Sequence, residues 1–433
     1  MESRSRNLLF AGLVFTAFVA AGYKTSYRTP SSSFAVPTVK ASSSLSKPFN
    51  PGQAIQLEAQ FVSSVPGKAV HAPSMVELGD GSLRAVWFSG SREGAGDVTI
   101  QTAVFSKGSQ EWGPESSLFD RAQLQRGLWR YVKKIGNPVI ARAPDGSIHL
   151  WMVNVSLGGW AGSAITWSRS EDEGATWSAP KRLVTSPFLN ISTLVKAAPV
   201  AMTQGQTSLP VYHEFIAKFA EVLRIDSSGR VVDKVRIPGS HTSLQPVVLA
   251  SNAQQAQAFM RATQGGQVMS SSTKDAGLTW AATAPIAAPN PNSALAGAVL
   301  QDGSRWLALN PTNAGREKLA LRKLDDSGGK EIAVEPPEQN KSLVSPLNIN
   351  DYAAVLGAEL KAKGATEAQT LAYVASATRQ LCGDTHCAQE FSYPFLLQTR
   401  DGSLHLVYTW HRTRIKHFRF DLSSTPGNQV KAQ

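Results

Sequence analysis

Short apolar runs alternate with turn signals along most of this chain, and the alternation has the period of strands rather than of helices. Ile148-His149-Leu150-Trp151-Met152-Val153 and Leu404-His405-Leu406-Val407-Tyr408 are examples. Each follows an Asp-Gly-Ser triplet, Asp145-Gly146-Ser147 in one case and Asp401-Gly402-Ser403 in the other. The triplet recurs at Asp80-Gly81-Ser82 and Asp302-Gly303-Ser304. Asp-Gly between two apolar runs is a strong hairpin signal, because glycine accepts φ > 0 and the aspartate bonds the backbone ahead of it. These signals divide the chain into strand-rich blocks near 68–115, 137–182, 190–238, 241–285, 293–332 and 388–425.

A longer motif repeats inside two of the blocks. Ser170-Glu171-Asp172-Glu173-Gly174-Ala175-Thr176-Trp177 and Thr273-Lys274-Asp275-Ala276-Gly277-Leu278-Thr279-Trp280 both fit S/T-x-D-x-G-x-T-W, and each follows a strand-like run. The aspartate can bond backbone N–H groups ahead of it, the glycine can turn left-handed, and the tryptophan can pack between sheets. The motif resembles the Asp box of sialidases and related β-propellers. That resemblance, with the six blocks, implies an all-β fold: a six-bladed β-propeller over 61–433. In such folds the boxes lie on peripheral turns, so they are expected to do no chemistry.

One stretch breaks the pattern. Residues 336–387 contain two Ala-rich runs with helical spacing, Asp351 to Lys363 and Glu367 to Gln380, with Gly364 between them. Thr366 and Gln369 resemble a capping box. This predicts a helical insertion of two helices, either over the mouth as a lid or packed on the side.

The N-terminus carries Arg4 and Arg6, then an almost wholly apolar segment from Leu8 to Ala21. Residues 1–23 read as a signal peptide or signal anchor, and 24–60, rich in Ser and Pro, as a flexible tether. The expectation is export to the periplasm or cell envelope, with membrane contact only through this segment. Cys382 and Cys387 are then expected to form a disulfide. A metal reading using His386 lacks a second ligand pair, and neither metal nor cofactor is expected. The formal charge is +11, and most of it lies outside the leader and tether, which favours an anionic glycan as partner. Nucleic acid is not expected, because the aromatics read as core positions. The oligomeric state is left open.

The resemblance to sialidases extends over roughly 65–425 and reaches candidate site residues. Phe259-Met260-Arg261 is similar to the strand supplying one arginine of the sialidase carboxylate-binding triad, and Asn310-Pro311 with Arg316-Glu317-Lys318-Leu319 to the segment supplying another. Ser392-Tyr393-Pro394 resembles the strand bearing the tyrosine nucleophile. A guanidinium fork suits a carboxylate, and a tyrosine nucleophile avoids setting a carboxylate against an anionic sugar. Two departures matter. Ala72, in His71-Ala72-Pro73-Ser74, stands where the first arginine of the triad is expected, and Gln245 stands where the tyrosine-activating glutamate is expected. An amide is no general base at neutral pH.

Replacements are sought among nearby polar residues. Ser91-Arg92-Glu93-Gly94-Ala95-Gly96-Asp97 falls where sialidases carry an arginine and a general acid, so Glu93 or Asp97 is a candidate acid and Arg92 a candidate anion ligand. His71 is a candidate acid or base, Glu214 a candidate partner of Tyr393, and Lys196 a candidate pocket cation. The leading expectation is an exported glycoside hydrolase acting on an acidic or unusual terminal sugar, and not an ordinary sialidase. The alternatives are a polysaccharide lyase acting on a uronate and a non-catalytic glycan-binding propeller.

Overall fold

The computed structural model describes residues 10–17, 19, 32–36, 55–56, 59–186, 190–324, 331–335 and 346–421. Six antiparallel sheets follow one another along the chain as the blades of a propeller. Blade 1 comprises Ala69–Glu77, Leu83–Gly90, Thr99–Phe105 and Ser116–Phe119, and blade 2 comprises Lys134–Arg142, Ile148–Val155, Ser163–Ser170 and Lys181–Arg182. Blade 3 spans 194–236, blade 4 spans 243–289 and blade 5 spans 296–335. Blade 6 is built from Phe391–Gln398, Leu404–Trp410 and Arg414–Asp421. All six expected blocks are blades.

Six apolar clusters fill the seams between neighbouring blades. Inner strands such as Ser243–Ala250 are buried along their whole length, because a blade is covered by a neighbour on each face. The four Asp-Gly-Ser triplets join first to second strands in blades 1, 2, 5 and 6, as expected. The Asp boxes turn between third and fourth strands of blades 2 and 4. Asp172 accepts from the Thr176 backbone N–H at 2.8 Å and its hydroxyl at 2.6 Å, and Asp275 repeats the bond to the Thr279 N–H at 2.9 Å. Gly174 and Gly277 take φ of +85° and +83°. In an antiparallel blade both kinds of turn fall at the same end of the ring. The starts of the inner strands and the connections from second to third strands fall at the other end, the mouth.

The ring closes with chain read as tether. Ile55–Gln56 and Gln60–Phe61 both pair with Arg414–Asp421, so the fourth strand of blade 6 comes from the N-terminal side. A second piece of that segment also docks: Phe34 is buried and bridges Met202 in blade 3. Two-residue strands carry no periodicity to read. The segment read as a leader lies largely outside the described residues. Among the described residues no helix is long and apolar enough to cross a membrane.

The insertion holds two helices, Ile349–Ala362 and Glu367–Leu381, capped by Asn348 and by a Thr366–Gln369 capping box. Residues 336–345 lie outside those described. The first helix buries Tyr352, Leu356 and Leu360 against blades 5 and 6. Its Glu359 shares the buried Lys416 ammonium with Glu335 of blade 5. The second helix lies along the seam of blades 6 and 1: Tyr373 Oη donates to Ser64 O at 2.8 Å and Ser376 Oγ to Lys68 O at 3.0 Å. The insertion is thus a wall beside the mouth. Cys382 and Cys387 are joined by a disulfide at its base.

Candidate functional site

Four blades interrupt their inner strand with the same two-residue bulge: Ala72-Pro73, Asn137-Pro138, Gln245-Pro246 and Tyr393-Pro394. The first residue of each pair is left-handed, with φ of +54°, +41°, +53° and +53°. Each such residue costs on the order of 1–3 kcal/mol, so their recurrence at one level of the ring marks a place where strain is maintained. Proline is tolerated second, because an inner strand has no partner on its axial side to miss the N–H. The bulge turns a side chain out of the pleat and toward the axis.

Contacts between non-neighbouring blades place these side chains together. Gln245 of blade 4 donates through Nε2 to the Tyr393 hydroxyl of blade 6 at 3.1 Å and to Tyr212 of blade 3 at 3.4 Å. Asn137 of blade 2 also donates to Tyr212, at 3.3 Å. Lys196 of blade 3 reaches across the ring to Pro394 O at 3.0 Å, and its ammonium stands 5.5 Å from the Tyr393 ring centre. His71 lies beside them, its ring 4.1 Å from that of Tyr393 and its Nδ1 buried without a hydrogen-bond partner. Burial lowers the His71 pKa well below the usual value, helped by Arg412, Arg316, Lys196 and Arg261, so the ring is neutral at neutral pH.

An arc of arginines borders this centre. Arg261 NH1 donates to Gln245 Oε1 at 3.1 Å, which turns the Gln245 amide so that its NH₂ faces the tyrosines. Its Nε bonds Asn292 Oδ1 at 2.7 Å, and Asn292 O accepts from Arg316 at 3.1 Å. Arg316 pairs with buried Glu390 at 3.2 Å, and Arg412 Nε pairs with the other Glu390 oxygen at 2.9 Å. Burial alone would raise the Glu390 pKa, but Arg412 and Arg316 outweigh it and hold the carboxyl below its usual range. Arg412 lies beside the start of blade 1. Its carbonyl accepts from Val70, and Ala72 N donates to Thr409, so the turn carrying Arg412 abuts the start of blade 1.

The remaining candidates lie on the rim. Asp97 accepts from the Ser91 N–H and hydroxyl, each at 2.9 Å. Burial would raise its pKa, but those bonds lower it, so Asp97 ties the 91–97 loop together and is a poor proton donor. Glu93 is exposed and meets Arg412 at 3.5 Å, and Arg92 is exposed beside it. Glu214 is half-buried and makes no bond to Tyr393. Burial raises its pKa against the pull of Lys218 and Arg261, and Glu93 raises it further. A carboxyl with a raised pKa is suited to donate a proton. Among the described residues no cluster of side chains could hold a metal ion.

The structure therefore brings together Tyr393, Gln245, His71, Lys196, Arg261 and Arg316, and sets Glu214, Glu93 and Arg92 around them. Sequence reasoning missed Asn137, Tyr212, Asn292, Glu390 and Arg412. Asn137-Pro138 carried a signal, because it repeats the X-Pro pattern of Gln245-Pro246 and Tyr393-Pro394.

Lys196 supplies a test of this burial. Its pKa falls from 10.5 to about 7 through desolvation. Between those values the unfolded chain binds the proton and the folded protein does not, so stability rises with pH across that window. Lys196→Met is expected to melt higher than wild type at and below about pH 7, with an advantage that shrinks toward about pH 10. Calorimetric melting across that range checks it, and a pH-independent difference would contradict a buried, depressed lysine.

The sequence matches the BNR repeat-like domain over residues 81–406, about three quarters of the chain. The chain belongs to the BNR repeat-like family. No curated protein sequence matches it. A crystal structure of a protein of unknown function from Dyadobacter fermentans superposes with a TM-score of 0.61 at 13% identity, covering 85% of this chain and 99% of that one. The intramolecular trans-sialidase of Ruminococcus gnavus, in complex with oseltamivir carboxylate, gives 0.57 at 12% identity, covering 84% and 97%. The α-L-arabinanase of Penicillium chrysogenum, complexed with arabinobiose, gives 0.54 at 13% identity, covering 85% and 99%. At these identities the likeness is one of fold. This BNR repeat-like protein thus shares its propeller fold with a trans-sialidase and an arabinanase.

Proposed function

We propose that this protein is an exported glycosidase that releases an acidic sugar from the end of a glycan. The observation that carries the reading is the arc Arg261–Asn292–Arg316–Glu390–Arg412 bordering Tyr393 on the propeller axis. Three guanidiniums, only partly neutralised by Glu390, form a site for a carboxylate. Tyr393 is the nucleophile: its oxygen bonds the anomeric carbon as the glycosidic C–O bond breaks, and water later cleaves the tyrosyl link. The phenol proton has two neutral acceptors beside it, His71 and the deprotonated fraction of Lys196. Gln245 donates a hydrogen bond to the oxygen that becomes negative. Glu214 protonates the leaving oxygen. Export is supported by Arg4 and Arg6 ahead of the apolar leader and by the Cys382–Cys387 disulfide.

One observation favours a second reading. Tyr393 is bonded to an amide, not a carboxylate, and lies against a neutral imidazole. Tyrosine with histidine, next to cations that neutralise a carboxylate, also suits a lyase that removes the proton beside a uronate carboxyl. Products separate the two. Incubated with a panel of sialosides and uronate-containing glycans, the protein is expected to release a saturated acidic monosaccharide without a rise in ultraviolet absorbance. An absorbing, unsaturated uronyl product would replace the hydrolase reading with the lyase.

A further inference from the structure

Beside the axial group, a cavity of about 650 Å³ opens between the 91–97 loop and the second helix of the insertion. Its lining includes Lys68, Arg92, Arg379 and Arg412 against a single carboxylate, Glu93. The cavity is built by the insertion. Arg379 donates to Gly67 O at 3.4 Å and Gln380 to Arg412 O at 3.3 Å, which fixes the helix against the chain entering blade 1 and against the arginine arc. The cations are incompletely satisfied. Lys68 reaches Asp97 only at 3.8 Å, and the Arg92 guanidinium has no partner among the described residues. Arg412 belongs to both places, since it pairs with Glu390 at the axis and also lines the cavity.

We propose that this cavity is a second anion subsite, which takes an acidic group on the sugar next to the terminal one. The inference rests on the axial site holding an acidic terminal sugar, and it narrows the substrate to a glycan with anionic groups on successive residues. A neutral penultimate sugar would leave these three cations incompletely satisfied, whereas a carboxylate, sulfate or phosphate there meets Lys68, Arg92 and Arg379 together. The insertion then serves specificity rather than acting as a lid.

Calorimetric titration of the full chain, carrying Tyr393→Phe so that no probe is turned over, tests this with named probes. The probes are galacturonic acid and its di- and tetrasaccharide, mannuronic acid and its oligomers, and N-acetylneuraminic acid and its α-2,8-linked oligomers. For at least one series, the disaccharide is expected to bind about tenfold tighter than its monosaccharide, a gain that shrinks with salt. Lys68→Ser combined with Arg379→Ser should remove that gain and leave monosaccharide affinity within about twofold. Arg92→Ser alone should reduce it. The subsite is overturned if no oligomer gains over its monosaccharide, if the gain survives the double variant, or if nothing in the panel binds. Monosaccharide binding that ignores Arg261→Ala would instead count against the axial reading, whereas Arg261-dependent monosaccharide binding without a disaccharide gain removes the second subsite alone.

Discussion

Replacing Tyr393 with Phe is expected to lower turnover of any acidic-glycan substrate by about 10⁴-fold or more, the scale on which loss of a nucleophile acts. The fold should survive. The Phe ring keeps its place beside His71, and only the 3.1 Å bond from Gln245 is lost. Gln245 still donates to Tyr212 and accepts from Arg261, so it is not orphaned. One such bond is worth about 0.5–1.5 kcal/mol net. Release of sugar by the variant, measured beside its melting temperature, checks the claim. Full activity in the Phe protein would remove tyrosine from the mechanism.

Glu390→Gln is expected to have the largest effect on stability. The Glu390 carboxylate is buried, and it is the anion shared by Arg316 and Arg412. Removing one partner of a buried charge group typically costs about 3–5 kcal/mol, because the remaining charges stay desolvated. The pH dependence follows from the depressed carboxyl. Its contribution is fully present above the usual glutamate value of ~4.3 and fades as pH falls through the lower folded value. Wild type and variant should therefore differ strongly at neutral pH and converge in acid. Denaturant unfolding of both proteins at neutral and acid pH measures this, and a variant as stable as wild type at pH 7 would show that Glu390 does not hold the arc. Anion affinity should fall with it, since Arg316 and Arg412 lose their common anchor.

The fold was legible wherever local chemistry specifies it. Asp-Gly-Ser hairpins and Asp boxes are written in consecutive residues, and each does what its side chains dictate. The helices of the insertion were readable to within two residues because Thr366 and Gln369 cap one of them and Gly364 separates the pair. Ring closure was not readable, because Ile55–Gln56 and Gln60–Phe61 are strands only by virtue of the edge they pair with.

The site divides in the same way. Tyr393, Gln245, Arg261 and Arg316 were found through short segments resembling sialidases, and they do meet. Asp97 has the right residue type in the right loop, but sequence cannot show that Ser91 occupies both of its oxygens. Glu390 and Arg412 escaped notice because their pairing depends on where the insertion ends and how the 411–413 turn lies. His411 and Arg412 are both left-handed there, with φ of +47° and +51°, which bends the chain toward the mouth. Arg412 thus joins the arc only once blades 6 and 1 stand side by side.

The most direct test of the axial carboxylate site is a matched pair of substrates. An acidic glycan that the protein turns over is compared with the same glycan after its carboxyl groups are reduced to alcohols, in wild type and in Arg316→Ala. Each charge-assisted bond to a buried carboxylate is worth roughly 1.5–3 kcal/mol. Reduction of the carboxyls is therefore expected to lower kcat/KM by about a hundredfold or more in wild type, and far less in Arg316→Ala, where one arm is already missing. Equal turnover of native and reduced glycan by the wild-type protein would contradict the account.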